Sequence, residues 1–296
     1  MRILSLLKPL LLFIIIFQCK LVLCLGEDFN TTTTLRVVSL SPNLTSIITE
    51  LGCEKNLVGI TRFCKINQRK NPPEIIGDYL SPNLEKIVSL KPDVVFLLKS
   101  QKQIEEKISK FGIRTISVGN DTIAEIRESI LKIGDELKKQ GDAKTIVNKI
   151  DESIKKNKKV VNKRVRVVFV VGRERDDLTQ IYVAGKGTFI DEIIEAGGGE
   201  NIIQTSFTAY PIISKEVLLK LNPDVILDSS AEASLTEQEI ERQLNIWRKL
   251  STLKAVREKK IYIITDPQIT IPGPHIPESI EKVAQLLSGR KTDGKK

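Results

Sequence analysis

Histidine is almost missing from this chain of 296 residues: His275, in "IPGPHIPESI", stands alone. A general base needs a partner to orient it, and a lone histidine with no catalytic motif around it is read as structural rather than catalytic. Cysteine is scarce, four in all, and no His, Cys or Asp cluster has metal-ligand spacing. No phosphate loop and no nucleophile elbow is present. "GKGTFI" begins like a dinucleotide loop but puts Ile190 at the third glycine position. Aromatic residues make up only 5% of the chain, and none interleaves the basic runs "KKNKKVVNKRVR" (Lys155–Arg166) and "GRKTDGKK". Such runs are solvated faces, so nucleic acid is excluded as a partner. These absences predict no enzyme, no metal site and no resident cofactor. The competing enzyme reading is a small-molecule hydrolase using His275 and Asp266.

What is there begins with "MRILSLLKPLLLFIIIFQCKLVLCLGEDFN". Arg2 and Lys8 precede a short apolar run that Lys20 interrupts, the pattern of a secretory signal over residues 1–26 rather than of a spanning helix. "LVLC" allows a lipoprotein-type cleavage that leaves Cys24, or else Cys19, lipidated; simple cleavage after Gly26 is the alternative. Losing Arg2, Lys8 and Lys20, with no acid among residues 1–26, takes the formal charge from +9 to +6. Cys53 and Cys64 frame "CEKNLVGITRFC". In an oxidising compartment they form a disulfide contributing about 3 kcal/mol, or they remain two free thiols.

After "NTTTT" the pattern alternates. "LRVVSL" is a strand and "SPNLTSIITELG" a helix, with Ser41 to cap it, Pro42 in its first turn and Gly52 to end it. "NLVGIT", "DVVFLL" and "IRTISVG" are further strands, separated by the loop "NPPEIIGDY" and by the helices "SPNLEKIVSLKP" and "QKQIEEKISKFG". The pentapeptide "LSPNL" opens both Pro-led helices, at Leu40 and Leu80, and predicts the same elbow twice. From Thr122 to Lys158 the spacing is helical throughout and unbroken by proline, a strut of roughly 55 Å at about 1.5 Å per residue. Alternation then resumes to the last helix, "PESIEKVAQLLSG". The fold class is therefore α/β, as two Rossmann-like lobes joined by a single long α-helix with a ligand cleft between them. The organisation reads as a leader at 1–26, an N-terminal lobe at 35–121, a linker helix at 122–158, a C-terminal lobe at 163–290 and a basic tail at 291–296.

The second lobe echoes the first. "EKIVSLKPDVV" (Glu85–Val95) and "EVLLKLNPDVI" (Glu216–Ile226) align without a gap, with Pro92 and Pro223 ending each helix. Ligands of open α/β sheets sit at strand C-terminal ends. Loops at those ends carry Phe63, Tyr79, Tyr182 and Tyr210, rings suited to a large, partly apolar guest.

Several linked segments then resemble one family. "RVVSLSPNLTSIITELG", "LVGITRFC", "IGDYLSPNLEKIVSLKPDVV", "AGKGTFIDEIIEAGGGENI" and "YPIISKEVLLKLNPDVIL" resemble, in order, the periplasmic binding proteins for cobalamin and iron chelates. The resemblance runs from about Arg36 to Leu287. It implies the substrate-binding subunit of an ABC importer, a monomer outside the cytoplasmic membrane, free or lipid-anchored, that serves a permease dimer with its ATPase subunits. It implies ligand contacts at Pro42, Phe63, Tyr79, Tyr182, Tyr210 and Asp266, and permease docking through Glu85 and Glu216. A first-turn Glu also suits its own helix dipole. The ligand implied is a metal-containing chelate, cobalamin, with a ferric siderophore as the alternative. Arg62, Arg173 and Arg175 keep the siderophore open. Asp78 stands where the haem branch has Tyr, which disfavours haem.

Overall fold

Short β-branched runs build a first parallel sheet. In the computed structural model, which describes residues 34–157, 164–205, 207–230 and 235–289, the chain opens with β1 (Val37–Ser39) and α1 (Pro42–Glu50). β2 (Leu57–Ile60) and the edge strand β3 (Glu74–Ile75) follow, then α2 (Leu84–Ser89), β4 (Val94–Leu98), α3 (Lys102–Ser109) and β5 (Thr115–Val118). The sheet order is β3-β2-β1-β4-β5, with Val37 opposite both Leu57 and Val94. Along β1 and β4 successive side chains enter different clusters. Val37, Val94 and Phe96 pack with α1, whereas Val38, Val95 and Leu97 pack against Ile87 and Ile108 on the other face. A sheet buried on both faces reads as continuous apolar runs for that reason.

The expected strut is shorter than Thr122–Lys158. α4 (Ile123–Glu136) ends at Leu137, Lys138 turns left-handed at φ 57°, and α5 (Gln140–Asn157) begins after it. The two helices fold into an antiparallel hairpin, pinned where Lys139 N donates to Gly134 O at 2.6 Å and where Arg127 reaches Asp151 at 3.0 Å. Gly134 is needed there, because a Cβ on it would collide with Ala143. Both helices bury an isoleucine stripe, so their apolar spacing runs on through the turn and hides it. α4 packs on β5 and α1 and belongs to the N-terminal lobe. The joining helix is α5 alone, about 27 Å long at about 1.5 Å per residue.

The C-terminal lobe holds β6 (Val165–Arg173), β7 (Ile181–Val183), α6 (Phe189–Ala196), β8 (Gly199–Asn201), β9 (Ile212–Ile213) and α7 (Lys215–Leu221). β10 (Val225–Asp228), α8 (Glu237–Arg248), α9 (Lys254–Arg257), β11 (Ile261–Ile263) and α10 (Ile276–Ser288) complete it. Its sheet, β11-β10-β6-β7-β9 with β8 beside the start of β6, is mixed: β7 and β9 run antiparallel to their neighbours. α10 packs along α5 and α6. One apolar cluster thereby runs through both lobes, from Val37 and Phe96 through Ile146 and Ile150 to Phe169, Ile193 and Ile280. The leader at 1–26, with Cys19 and Cys24, and the tail at 291–296 lie outside the described residues.

Candidate functional site

The two "LSPNL" copies fold differently. At the first, Pro42 starts α1 directly; Ser41 occupies the cap position, but its hydroxyl donates to Asn43 Oδ1 rather than accepting an amide. At the second, Pro82 bridges back to Gly77 and the helix starts two residues later, with Asn83 accepting Lys86 N at 3.0 Å. A buried glutamine that sequence reasoning missed links the two turns. Gln101 Nε2 donates to Leu40 O at 3.4 Å and to Tyr79 O at 2.9 Å, while Leu98 N donates to its Oε1.

The first elbow opens onto a cavity of about 370 Å³ that both lobes line. The N-terminal lobe supplies Pro42, Ser46, Thr49 and Glu50, one face of α1 at helical spacing, together with Phe63 and Lys65 from the loop after β2. The C-terminal lobe supplies Asp266, Pro267, Gln268 and Ile271 from the turn after β11, and His275 at the start of α10. Every one of these segments follows the C-terminal end of a strand or starts a helix, where open α/β sheets hold ligands. Thr49 Oγ1 is buried with no hydrogen-bond partner among the described residues, and Phe63 keeps 69% of its surface exposed. Asp266 accepts Gln268 N at 3.0 Å, which shapes its turn and leaves the other carboxylate oxygen for a guest. His275 and Asp266 do share this lining, yet among the described residues no carboxylate is hydrogen-bonded to the His275 ring. No group of three His, Cys, Asp or Glu among the described residues has metal-site geometry.

Of the residues expected to hold ligand, Pro42, Phe63 and Asp266 meet in this lining, and Tyr79, Tyr182 and Tyr210 stand outside it. The Tyr79 hydroxyl shares a 2.8 Å hydrogen bond with Ser100 Oγ. Tyr182 lies on β7 beside Gly172 of β6. Tyr210 faces the N-terminal lobe: burial of its hydroxyl, with the Asp121 carboxylate next in effect, pushes it up to about 12. Asp121 O also receives Phe189 N at 2.7 Å, and Ile123 N donates to Glu192 at 2.5 Å, so the lobes are tied through the starts of α4 and α6. Burial pushes the Glu192 carboxyl above its ordinary value.

Cys53 and Cys64 are free, which removes the disulfide alternative. Cys53 is buried and reaches Leu51 O, whereas Cys64 Sγ turns to the hydroxyls of Thr45 and Thr61 at 3.0 and 3.1 Å. The Arg173 side chain is equally withdrawn: it is 1% exposed and bound to a fully buried Asp228 at 2.9 Å, to Gln243 and, across its face, to Trp247. Arg175 pairs with Glu239, and Asp78 accepts the amides of Leu80 and Ser81 in its own turn. Of the three arginines, only Arg62 has a guanidinium free among the described residues.

Glu85 and Glu216 are both exposed and occupy the second position of α2 and α7. The Ser214 hydroxyl holds the Glu216 carboxyl below the usual carboxylate range. The same clamp fixes both helices. Lys91 and Asn222 turn left-handed at φ 43° and 46° before the proline. Arg36 and Arg166 each donate an amide to the next Asp, Asp93 at 2.6 Å and Asp224 at 3.0 Å. Their guanidiniums grip the helix C-terminal carbonyls, with Leu90 O and Leu221 O both at 2.7 Å. The sequence repeat shows Pro-Asp-Val; the two arginines, each directly before a pair of strand valines, are its unread partners.

Comparison with known proteins gives a consistent set. Residues 37–267 match the family model described as periplasmic binding protein. The uncharacterized ABC transporter substrate-binding lipoprotein YvrC of Bacillus subtilis is 26% identical over 261 residues, covering 85% of this chain and 79% of that protein. The high-affinity heme uptake system protein IsdE of Staphylococcus aureus is 26% identical over 204 residues, covering 66% of this chain and 67% of that one. Among solved structures, the periplasmic heme-binding protein HutB of Vibrio cholerae aligns with a TM-score of 0.73 at 22% identity, over 86% of this chain and 99% of that one. The periplasmic vitamin B12 binding protein BtuF of the same species aligns at 0.71, also at 22% identity, over 86% and 98%. These two likenesses concern the fold.

Proposed function

Because the chain belongs to the periplasmic binding protein family, we propose that it is the substrate-binding component of an ABC importer and that its cargo is cobalamin. The observation that carries this reading is the cavity lined by both lobes, with Pro42 and Phe63 on one side and Asp266 on the other. A partly apolar hollow with a few polar groups suits capture and release of a large chelate, whose remainder would lie across the exposed ring of Phe63. In this reading the role is delivery without turnover, in keeping with the binding-protein family the chain belongs to. Tyr79, Tyr182 and Tyr210 serve as rim contacts in this reading, and Asp266 as a polar anchor.

Glu85 and Glu216 then dock on a permease dimer that works with its ATPase subunits. Their matching positions on clamped helices support this, since charges of that kind guide encounter and orientation. The protein acts as a monomer outside the cytoplasmic membrane, soluble after leader cleavage or anchored through Cys24, as the lipoprotein description of YvrC suggests.

A second reading, haem or another iron chelate, has its own support. The His275 ring borders the cavity and makes no hydrogen bond among the described residues, so a nitrogen is open to a metal centre even though Asp78 replaces the haem-branch Tyr. IsdE is described as a heme uptake protein. The withdrawal of Arg173 counts against a catecholate siderophore. Calorimetry with cyanocobalamin, hemin and a ferric catecholate tests the choice. Cobalamin binding that Phe63→Ala weakens is expected. Binding of hemin alone, lost in His275→Ala, would replace the ligand and keep the receptor. Binding of none, with measurable hydrolysis of small esters, would remove the receptor reading.

A further inference from the structure

Exposed aliphatic side chains gather beside the two docking glutamates. Among the described residues, the large aliphatics left exposed are Ile75, Leu80, Leu131, Ile212 and Val217. Four of the five fall in two places. Ile75 and Leu80 lead into α2 and Glu85; Ile212 and Val217 flank the start of α7 and Glu216. These four are between 44 and 83% exposed. A lone exposed aliphatic is ordinary on a soluble protein, but a pair of them at each of two matching carboxylates is a pattern.

Ile75 and Ile212 share a further feature. β3 and β9, each two residues long, are edge strands, β3 pairing with β2 and β9 with β7. Lys86, the neighbour of Glu85, reaches Ile75 O at 3.2 Å and Glu74 at 3.0 Å, so the start of α2 touches its edge strand. In the other lobe the chain passes from Ile212 to Glu216 within one tight connection capped by Ser214. The separations along the chain are unequal, ten residues from Ile75 to Glu85 and four from Ile212 to Glu216. The likeness is therefore in the surface and not in a copied sequence. Each lobe presents an aliphatic on a free sheet edge, a second aliphatic beside the helix start, and a carboxylate without an ion-pair partner among the described residues.

We infer that Ile75 with Leu80 and Ile212 with Val217 are the apolar anchors of one two-part docking surface, while Glu85 and Glu216 set its register. The inference rests on the permease reading given above. The partner it fits is a membrane protein of two like subunits, each offering a basic side chain beside an apolar hollow. Exposed ion pairs contribute little and are screened by salt, so two carboxylates alone hold a complex poorly. Apolar burial is indifferent to salt and shows in the dissociation rate.

The test is binding of the purified full chain to its permease–ATPase complex in lipid nanodiscs, at about 0.05 M and about 0.5 M salt. The variant Glu85→Gln/Glu216→Gln is expected to slow association and to flatten the salt dependence. Ile75→Thr/Ile212→Thr is expected to keep both and to speed dissociation about tenfold or more. Threonine preserves β-branching on the edge strands, so the melting temperature is expected to hold. Should it fall, Leu80→Ser/Val217→Ala repeats the test off the strands, with the same expectation. If both apolar variants bind like wild type while the glutamine variant weakens, the apolar anchors are refuted and the docking reading stands. If neither kind changes binding, both fail. If wild type self-associates in sedimentation and Ile75→Thr/Ile212→Thr does not, the surface serves a second copy and the inference is overturned.

Discussion

Replacing Asp228 by Asn strands a guanidinium in the C-terminal lobe. The Asp228 side chain has no exposed surface and that of Arg173 has 1%, with Nε donating to Oδ2 at 2.9 Å. Trp247 Nε1 donates to the same oxygen at 2.7 Å, and Ser230 N donates to Oδ1 at 3.0 Å. The carboxylate thus receives donors on both oxygens. An asparagine turns a carbonyl to one side only, and its amide hydrogens must then face donors on the other. Breaking a buried pair from one end costs about 3–5 kcal/mol, because the remaining charge stays desolvated. At about 2–4 °C per kcal/mol for a unit of this size, the expected fall in melting temperature is roughly 6–20 °C. Circular dichroism at neutral pH measures it. Arg173→Met/Asp228→Leu, which removes both charges and keeps the volume apolar, is expected to recover most of the loss. A drop under about 2 °C for Asp228→Asn would refute the reasoning. So would an Arg173→Met variant that melts normally yet loses ligand, since Arg173 would then face the cleft.

Other outcomes follow from the same residues. Phe63→Ala is expected to weaken cargo binding about tenfold or more by calorimetry with no change in melting temperature, because its ring is 69% exposed in the free protein. Burial raises the Glu192 carboxyl, so the stability linked to its protonation is complete below the ordinary glutamate value and is lost as pH rises through the folded one. Glu192→Gln keeps an acceptor for Ile123 N, and its melting temperature is expected to exceed that of wild type at about pH 8 but not at about pH 3.5; an equal gap at both would refute this. Removing the Asp121 charge by Asp121→Asn is expected to bring Tyr210 below its value of about 12 in an ultraviolet phenolate titration. Under native conditions iodoacetamide is expected to label the half-buried Cys64 and not the buried Cys53, whose thiol burial pushes up; mass spectrometry of labelled peptides would show otherwise if the two were linked.

Most of the layered fold was legible because its cause is local. β4 and β6 are apolar, β-branched runs, and Thr122, Thr188, Ser214 and Thr236 each accept an amide at the start of the helix they precede. What escaped was non-local. β3, β8 and β9 are two or three residues long, and only their partners make them strands. The reversal of β7 was hidden because a three-residue "IYV" carries no sign of direction. The turn at Lys138 was hidden because leucine and isoleucine spacing stays in phase across it, with the signal resting on Gly134 and its approach to Ala143. At the site, Phe63 was readable from its place after a strand, whereas Pro42 and Asp266 were named through the family resemblance, and the three share one lining. Ser46, Thr49 and Glu50 were equally readable as the Pro42 face of α1, whereas Gln101, Arg36 and Arg166 act through backbone carbonyls far away in sequence.

The lobes cannot swing far apart, and the reason lies beneath the cleft. A single apolar cluster passes from the first sheet through α5 to β6, α6 and α10, so a wide rotation would bring part of it into water. Exposing even about 200 Å² of apolar surface costs about 5 kcal/mol at roughly 25 cal/mol per Å². Phe189 N to Asp121 O and Ile123 N to Glu192 pin the lobes at a second point, away from the cavity. In the proposed receptor role, movement on ligand capture would therefore be confined to the rim, meaning the Phe63 ring, the loop that carries Tyr210 and the turn at Asp266. The helices bearing Glu85 and Glu216, each held by an arginine clamped to its last carbonyls, then keep nearly the same separation whether the cavity is empty or filled. A permease meeting this surface would have to sense cargo at the rim between the two glutamates, because the distance between them carries almost no information.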